Sequence, residues 1–137
     1  MTGMREGSVS NVAELDKAIS AHAKWKIRLR EAIDTGHSEW RPETVRLDNI
    51  CDFGKWLHAL PDSEKTSAYW KRVQKLHAEF HVVAAKVLRL ALEGRKREAE
   101  AAMETSGSEF KVASSKLINT MSEWKKYDPE TRAQSVG

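Results

Sequence analysis

Apolar residues recur every three or four positions along most of the chain, the period of helices that bury one side. Val12, Leu15, Ile19, His22, Trp25, Leu29 and Ile33 form the first such stripe. It predicts a helix that opens at Ser10 or Asn11, either able to cap, and stops at Thr35-Gly36. HSEWRPETVRL, residues 37–47, has a proline and no sustained pattern, so it reads as a connector with a short turn of helix. Asp48 is then positioned to cap a shorter helix from Asn49 to Leu60, with Ile50, Phe53, Leu57 and Leu60 inward and Pro61 as its stop.

A third element opens at Asp62 or Ser63 and runs to Glu93-Gly94, its buried side marked by Trp70, Val73, His77, Phe80, Ala84, Val87 and Ala91. The fourth spans about Arg95 to Lys126, with Met103, Phe110, Leu117, Met121 and Trp124 inward, loosened at Ser106-Gly107-Ser108 and ended by Asp128-Pro129. No segment alternates with the period of a strand. The expected fold is all-α: an antiparallel, four-helix-bundle-like domain over residues 10–127, with one shorter helix carrying the cysteine. Residues 1–9 and 128–137 read as tails.

Composition narrows the function classes. With 137 residues the chain can fold as one domain. Its 23 basic and 20 acidic residues are interspersed, so the net charge of +3 gives no polyanion-binding face. GRKRE at 94–98 reads as a solvated helix start, and no nucleic-acid partner is expected. A single cysteine cannot form an internal disulfide, and neither a secretory leader nor a membrane-spanning run is present, which makes the cytoplasm the expected location. Trp25, Trp56, Trp70 and Trp124 sit at helical positions and read as core or dimer-interface anchors, the lining of a ligand pocket being the alternative.

Candidate chemistry centres on that cysteine and the histidines. In LHAEFH, His77 and His81 are four residues apart, so their rings leave one helix face about 6 Å apart along the axis and can reach one metal ion. Cys51 lies in the first turn of its helix, where free amide groups and the dipole favour the thiolate that ligates metal. Gly54 removes a side chain beside it, giving room for another helix or its imidazole. His22 completes a set of one thiolate and three imidazoles, which fills a tetrahedral zinc shell and leaves no position for a hydrolytic water. A zinc-protease helix needs glutamate directly after its first histidine, whereas here Ala78 follows His77 and Glu79 lies about 200° around the helix. His58 is about 10 Å from Cys51 along the same helix, too far to share its ion, and His37 lies in the polar connector.

AHAKWK at 21–26, CDFGKWL at 51–57 and LHAEFH at 76–81, in this order, resemble the bacterial chemoreceptor zinc-binding (CZB) domain, over the span from about Leu15 to Trp124. The resemblance implies a helical bundle, commonly dimeric, holding zinc through His22, Cys51, His77 and His81. It also implies a signalling context, a chemoreceptor or a diguanylate cyclase, with a response to zinc or to oxidants such as hypochlorous acid at the zinc-bound cysteine. No output domain is visible beside the bundle, which leaves open a stand-alone member and a piece of a longer receptor. The expected function is a non-enzymatic zinc-binding regulatory module controlling chemotaxis or cyclic-di-GMP signalling, working as a homodimer, with no catalytic residues and no membrane contact. The alternatives are a purely structural zinc site in an interaction bundle and, further off, a zinc-dependent hydrolase.

Overall fold

The computed structural model describes residues 11–127. The expected tails at 1–9 and 128–137, the Ser10 cap and the Asp128-Pro129 stop lie outside them. The described residues form helices α1 (Asn11–Thr35), α2 (Pro42–Val45), α3 (Asp52–Ala59), α4 (Asp62–Lys65), α5 (Ala68–Leu92), α6 (Lys96–Glu104) and α7 (Glu109–Tyr127), with no strand among them. The all-α expectation holds. The segmentation is finer than the four elements that periodicity predicts.

Helix α1 follows its stripe closely. Leu15, His22, Trp25, Leu29 and Ile33 are buried, while Val12 and Ile19 are half-covered and the small Ala18 and Ala32 are buried in their stead. Two alanines on the inner line let neighbouring helices approach. Gly36 ends the helix at φ 76°, its N–H donating to the Ala32 carbonyl at 2.8 Å; the left-handed conformation there suits glycine.

Two breaks depart from the expected boundaries, and both have serine caps as their cause. The third element divides into α4 and α5, because the Ser67 hydroxyl accepts the Trp70 N–H at 3.0 Å and starts a new helix. The Trp70 indole N–H donates to the Leu57 carbonyl at 2.9 Å, which pins the start of α5 to the end of α3. What the sequence suggested as loosening at 106–108 is a full interruption between α6 and α7. Gly107 takes φ 77°, and Ser108 accepts the Lys111 N–H at 3.2 Å while donating to the Met103 carbonyl at 3.1 Å.

The three long helices α1, α5 and α7 pack on one another, and α6 lies against all three. Their shared interior includes Leu15, Leu29, Phe80, Leu88, Leu117 and Met121, each fully buried. Every position expected inward on the fourth element is buried, Met103, Phe110 and Trp124 among them. Each such side chain contributes roughly 1.5–3 kcal/mol on burial, so this interior carries the fold. Ion pairs from Arg30 to Glu100 and Glu104, and from Lys125 to Asp16 at 2.6 Å, tie α1 to its neighbours at the surface, where such pairs contribute little. Helix α3 packs between α1 and α5, and α2 lies on α5. The site is built there, where the short helices α2 and α3 meet α1 and α5, the two longest.

Candidate metal centre

The cysteine is presented by a cap rather than by a first turn. Helix α3 starts at Asp52, three residues later than predicted, and Cys51 is its N-cap, with Sγ accepting the Gly54 N–H at 3.3 Å. Asp48, expected to cap, instead faces His58, its Oδ2 3.1 Å from the imidazole Nε2. Ile50, expected inward, is 43% exposed because it lies in the loop that leads to the cap. Gly54 serves that loop and not a second helix: a Cβ there would run into the Asp48 carbonyl oxygen. Its absence lets residues 48–51 fold back over the start of α3 and turn the sulfur inward.

The four candidate ligands meet at one point. His22 comes from the middle of α1, His77 and His81 from one face of α5, and Cys51 from the cap of α3; all three imidazoles are buried. One donor atom from each lies within 4.8 Å of all the others. Cys51 Sγ is 3.4 Å from His77 Nε2 and 3.6 Å from His81 Nε2, and those two nitrogens are 3.0 Å apart. Zn–N and Zn–S bonds of about 2.0–2.3 Å set donors about 3.3–3.6 Å apart on a tetrahedron, so the spacing among Cys51, His77 and His81 is close to what one zinc ion requires, with His22 near enough to be drawn in. His58 and His37 take no part. The first is held by Asp48 and the second is exposed in the connector.

Backbone carbonyls fix which ring nitrogens are free. The His22 Nδ1–H donates to Ala18 O at 2.7 Å and the His81 Nδ1–H to Val45 O at 2.8 Å, so in both rings Nε2 carries the lone pair. His77 has no such partner: its Nδ1 is buried and unpaired. The other nitrogen of His77, Nε2, faces Cys51 and His81. Three buried polar rings and a thiol facing one another are costly unless something binds them. The convergence of imidazole nitrogens and a thiol on one point is what a cation site looks like from its ligands. Neither Val45 nor Ala18 could be found from the sequence, since they act through carbonyls every residue has.

Electrostatics keep the imidazoles neutral and ready to ligate. Burial pushes His22 down to about 4, with the His81 and Arg28 charges acting in the same direction. His77 is driven to about 2 by burial and by its histidine neighbours, and burial also lowers His81. The thiol behaves against the expectation. Burial raises Cys51, more than the Gly54 and Phe53 amides lower it, and the carboxylates of Asp52 and Asp48 add to the rise. The helix terminus alone therefore does not supply the thiolate; a bound cation would. Phe53 and Phe80 stand edge-on to His22 at 6.0 and 5.1 Å between ring centroids, closing the inner side of the cluster to water.

These shifts give a signed pH dependence. Unfolded histidines titrate near 6.5, whereas folded His22 and His77 lie well below it and His81 is lowered too, so the unfolded chain binds more protons in acid and metal-free stability falls as pH drops below about 6.5. His22 and His77 each contribute a slope approaching about 1.4 kcal/mol per pH unit near pH 5. The His22 contribution levels off near pH 4, and that of His77 only near pH 2. Urea unfolding of the metal-free protein at pH 7.5, 6 and 5 should show this loss. A flat profile would mean that the rings are not buried neutral.

A helical bundle that gathers one thiol and three imidazoles at a buried point belongs to the metal-binding proteins. Residues 22–88 match the family model of the chemoreceptor zinc-binding domain (CZB). The match starts at His22, ends at Leu88 and includes all four candidate ligands; it is shorter than the span from Leu15 to Trp124 suggested by the motifs. Domains of this family bind zinc and work as regulatory parts of chemoreceptor-type signalling proteins. No curated protein and no solved structure matches the chain. No helix among the described residues is long and apolar enough to cross a membrane.

Proposed function

We propose that the protein is a zinc-responsive regulatory module in which His22, Cys51, His77 and His81 are the four zinc ligands. The observation that supports this most strongly is the convergence of three neutral, buried imidazole nitrogens and a thiol contributed by three separate helices. Bound zinc would keep the thiol deprotonated and join the three helices. The four ligands fill the shell, so the site is closed and the module is not an enzyme.

The chain's own residues supply the response. The long helices share an extended apolar interior, whereas α3 is an eight-residue helix that brings one ligand at its cap and is otherwise held by buried Phe53 and Leu57 and by the Trp70 indole bond to the Leu57 carbonyl. Cys51 is also the one partly exposed member of the four. Releasing its sulfur, by metal loss or by oxidation to the sulfenic acid with a two-electron oxidant such as hypochlorous acid, loosens the start of α3 and the loop before it while α1, α5 and α7 stay packed. His81 carries the change to α2 through Val45. We further infer that the module acts as a homodimer in the cytoplasm, where a single working thiol stays reduced, and that its output runs through a chemoreceptor or diguanylate cyclase partner.

Chelation separates this reading from a purely structural site. After zinc removal, circular dichroism should keep most of the helical signal while hydrodynamic size or the sedimentation coefficient shifts. General loss of helix would make the metal a folding staple and overturn the regulatory reading.

A further inference from the structure

Beside the cluster lies a cleft of about 580 Å³, between α1, α2 and the loop that leads to Cys51. It is within the size range of small-ligand sites. Its walls are mostly apolar, with Trp25, Trp40, Val45, Ile50 and Phe53 around it, and its floor reaches His22, His81 and Cys51. Trp40 is 39% exposed and Ile50 43%, so two large apolar side chains at this cleft remain open to water. Trp40 belongs to the connector and stood outside every periodic stripe.

Four charged residues line the cleft, and three are accounted for. Lys17 meets Glu14 at 3.4 Å, and Asp52 lies in the first turn of α3, where the helix terminus favours a carboxylate. Arg28 is the exception. Its guanidinium carbon lies over Trp25 at 4.9 Å and over Trp40 at 4.4 Å from the ring centroids, and among the described residues no carboxylate pairs with it. The two rings, inclined at 62° to each other, hold the guanidinium in place by cation–π attraction and leave its N–H groups with no carboxylate partner. Its planar donor fork matches a carboxylate, and the walls beside it match an aromatic or branched apolar body.

We propose that this cleft is a binding site for a small aromatic carboxylate, its anionic head on Arg28 and its ring against Trp25, Trp40 and Ile50. Binding rests on the cleft and on Arg28, and it stands or falls independently of the zinc assignment. Occupancy places an organic anion on the open side of the thiol, which gives the module a second chemical input next to the first.

The test is calorimetric titration of the zinc-loaded and the metal-free protein with 2-naphthoate, with neutral 2-naphthamide as the control. Saturable 2-naphthoate binding is expected, at least about tenfold tighter than the amide, since a charge-assisted bidentate pair contributes about 1.5–3 kcal/mol. Arg28→Gln should remove that preference, and Arg28→Lys should keep only part of it, because lysine retains the charge without the planar fork. Indole N–H resonances of Trp25 and Trp40 should move on titration while that of Trp124, buried elsewhere, stays. Circular dichroism of the variants checks that they fold. Equal affinity for acid and amide, an unchanged Arg28→Gln variant, or no binding at millimolar 2-naphthoate would each overturn the proposal.

Discussion

Replacing His77 with leucine should weaken zinc binding at least about 100-fold and at the same time make the metal-free protein more stable. The two effects have separate causes. His77 is 0% exposed, with one ring nitrogen unpaired and the other directed at Cys51 and His81. A buried polar group without a partner costs about 1–3 kcal/mol, and leucine of similar volume removes it. His81 Nε2 would keep a donor in the Cys51 thiol 3.6 Å away, so the net gain in urea unfolding under chelator should be about 1–2 kcal/mol. Zinc binding moves the other way. Structural zinc sites carry about 10–16 kcal/mol, so losing one ligand of four removes about 3 kcal/mol or more, a fall of at least about 100-fold. Cys51→Ala should weaken zinc as much while changing metal-free stability little, because the sulfur is only half-buried. Metal analysis after dialysis, with a competing chelator to rank affinities, reads both variants. Undiminished zinc in His77→Leu and in Cys51→Ala would end the ligand assignment, and a destabilised metal-free His77→Leu would show that the ring is better satisfied than its contacts indicate.

That opposition explains why the site was legible in the sequence. A core position that selects histidine against its own stability is visible as a polar break in an apolar stripe: His22 among Leu15, Trp25 and Leu29, and His77 and His81 beside Phe80 and Ala84. Periodicity located these rings and the helices that carry them. It could not locate the helix breaks before α5 and α7, which depend on serines making local caps instead of continuing the helix. Nor could it foresee the raised thiol, because a helix N-terminus is apparent in the sequence while the burial that outweighs it comes only from the packing of α1, α3 and α5. Trp40 and Arg28 escaped notice for a related reason: their contact joins a connector to a helix and leaves no repeat behind.

Gly54→Ala should lower both stability and zinc affinity, against the ordinary effect of that change. Inside a helix, alanine is favoured over glycine by about 0.8–1.0 kcal/mol, so a variant in which only propensity counts would gain stability. Gly54 is buried in the first turn of α3, and a Cβ would meet the Asp48 carbonyl oxygen, a backbone atom that cannot swing aside as a side chain can. The loop over residues 48–50 would have to lift. Overpacking of this kind costs about 1–3 kcal/mol, enough to cancel the propensity gain and leave a net loss. Lifting the loop also disturbs Asp48 opposite His58, and it moves the cap that aims Cys51 at His77 and His81. Zinc affinity should therefore fall although no ligand has been removed. Lys55→Ala on the exposed side of the same helix is the control, expected to stay within about 0.5 kcal/mol of the parent with its zinc intact. If Gly54→Ala proves more stable than the parent and binds zinc equally well, the loop does not press on α3, and the account of how the sulfur is aimed fails with it.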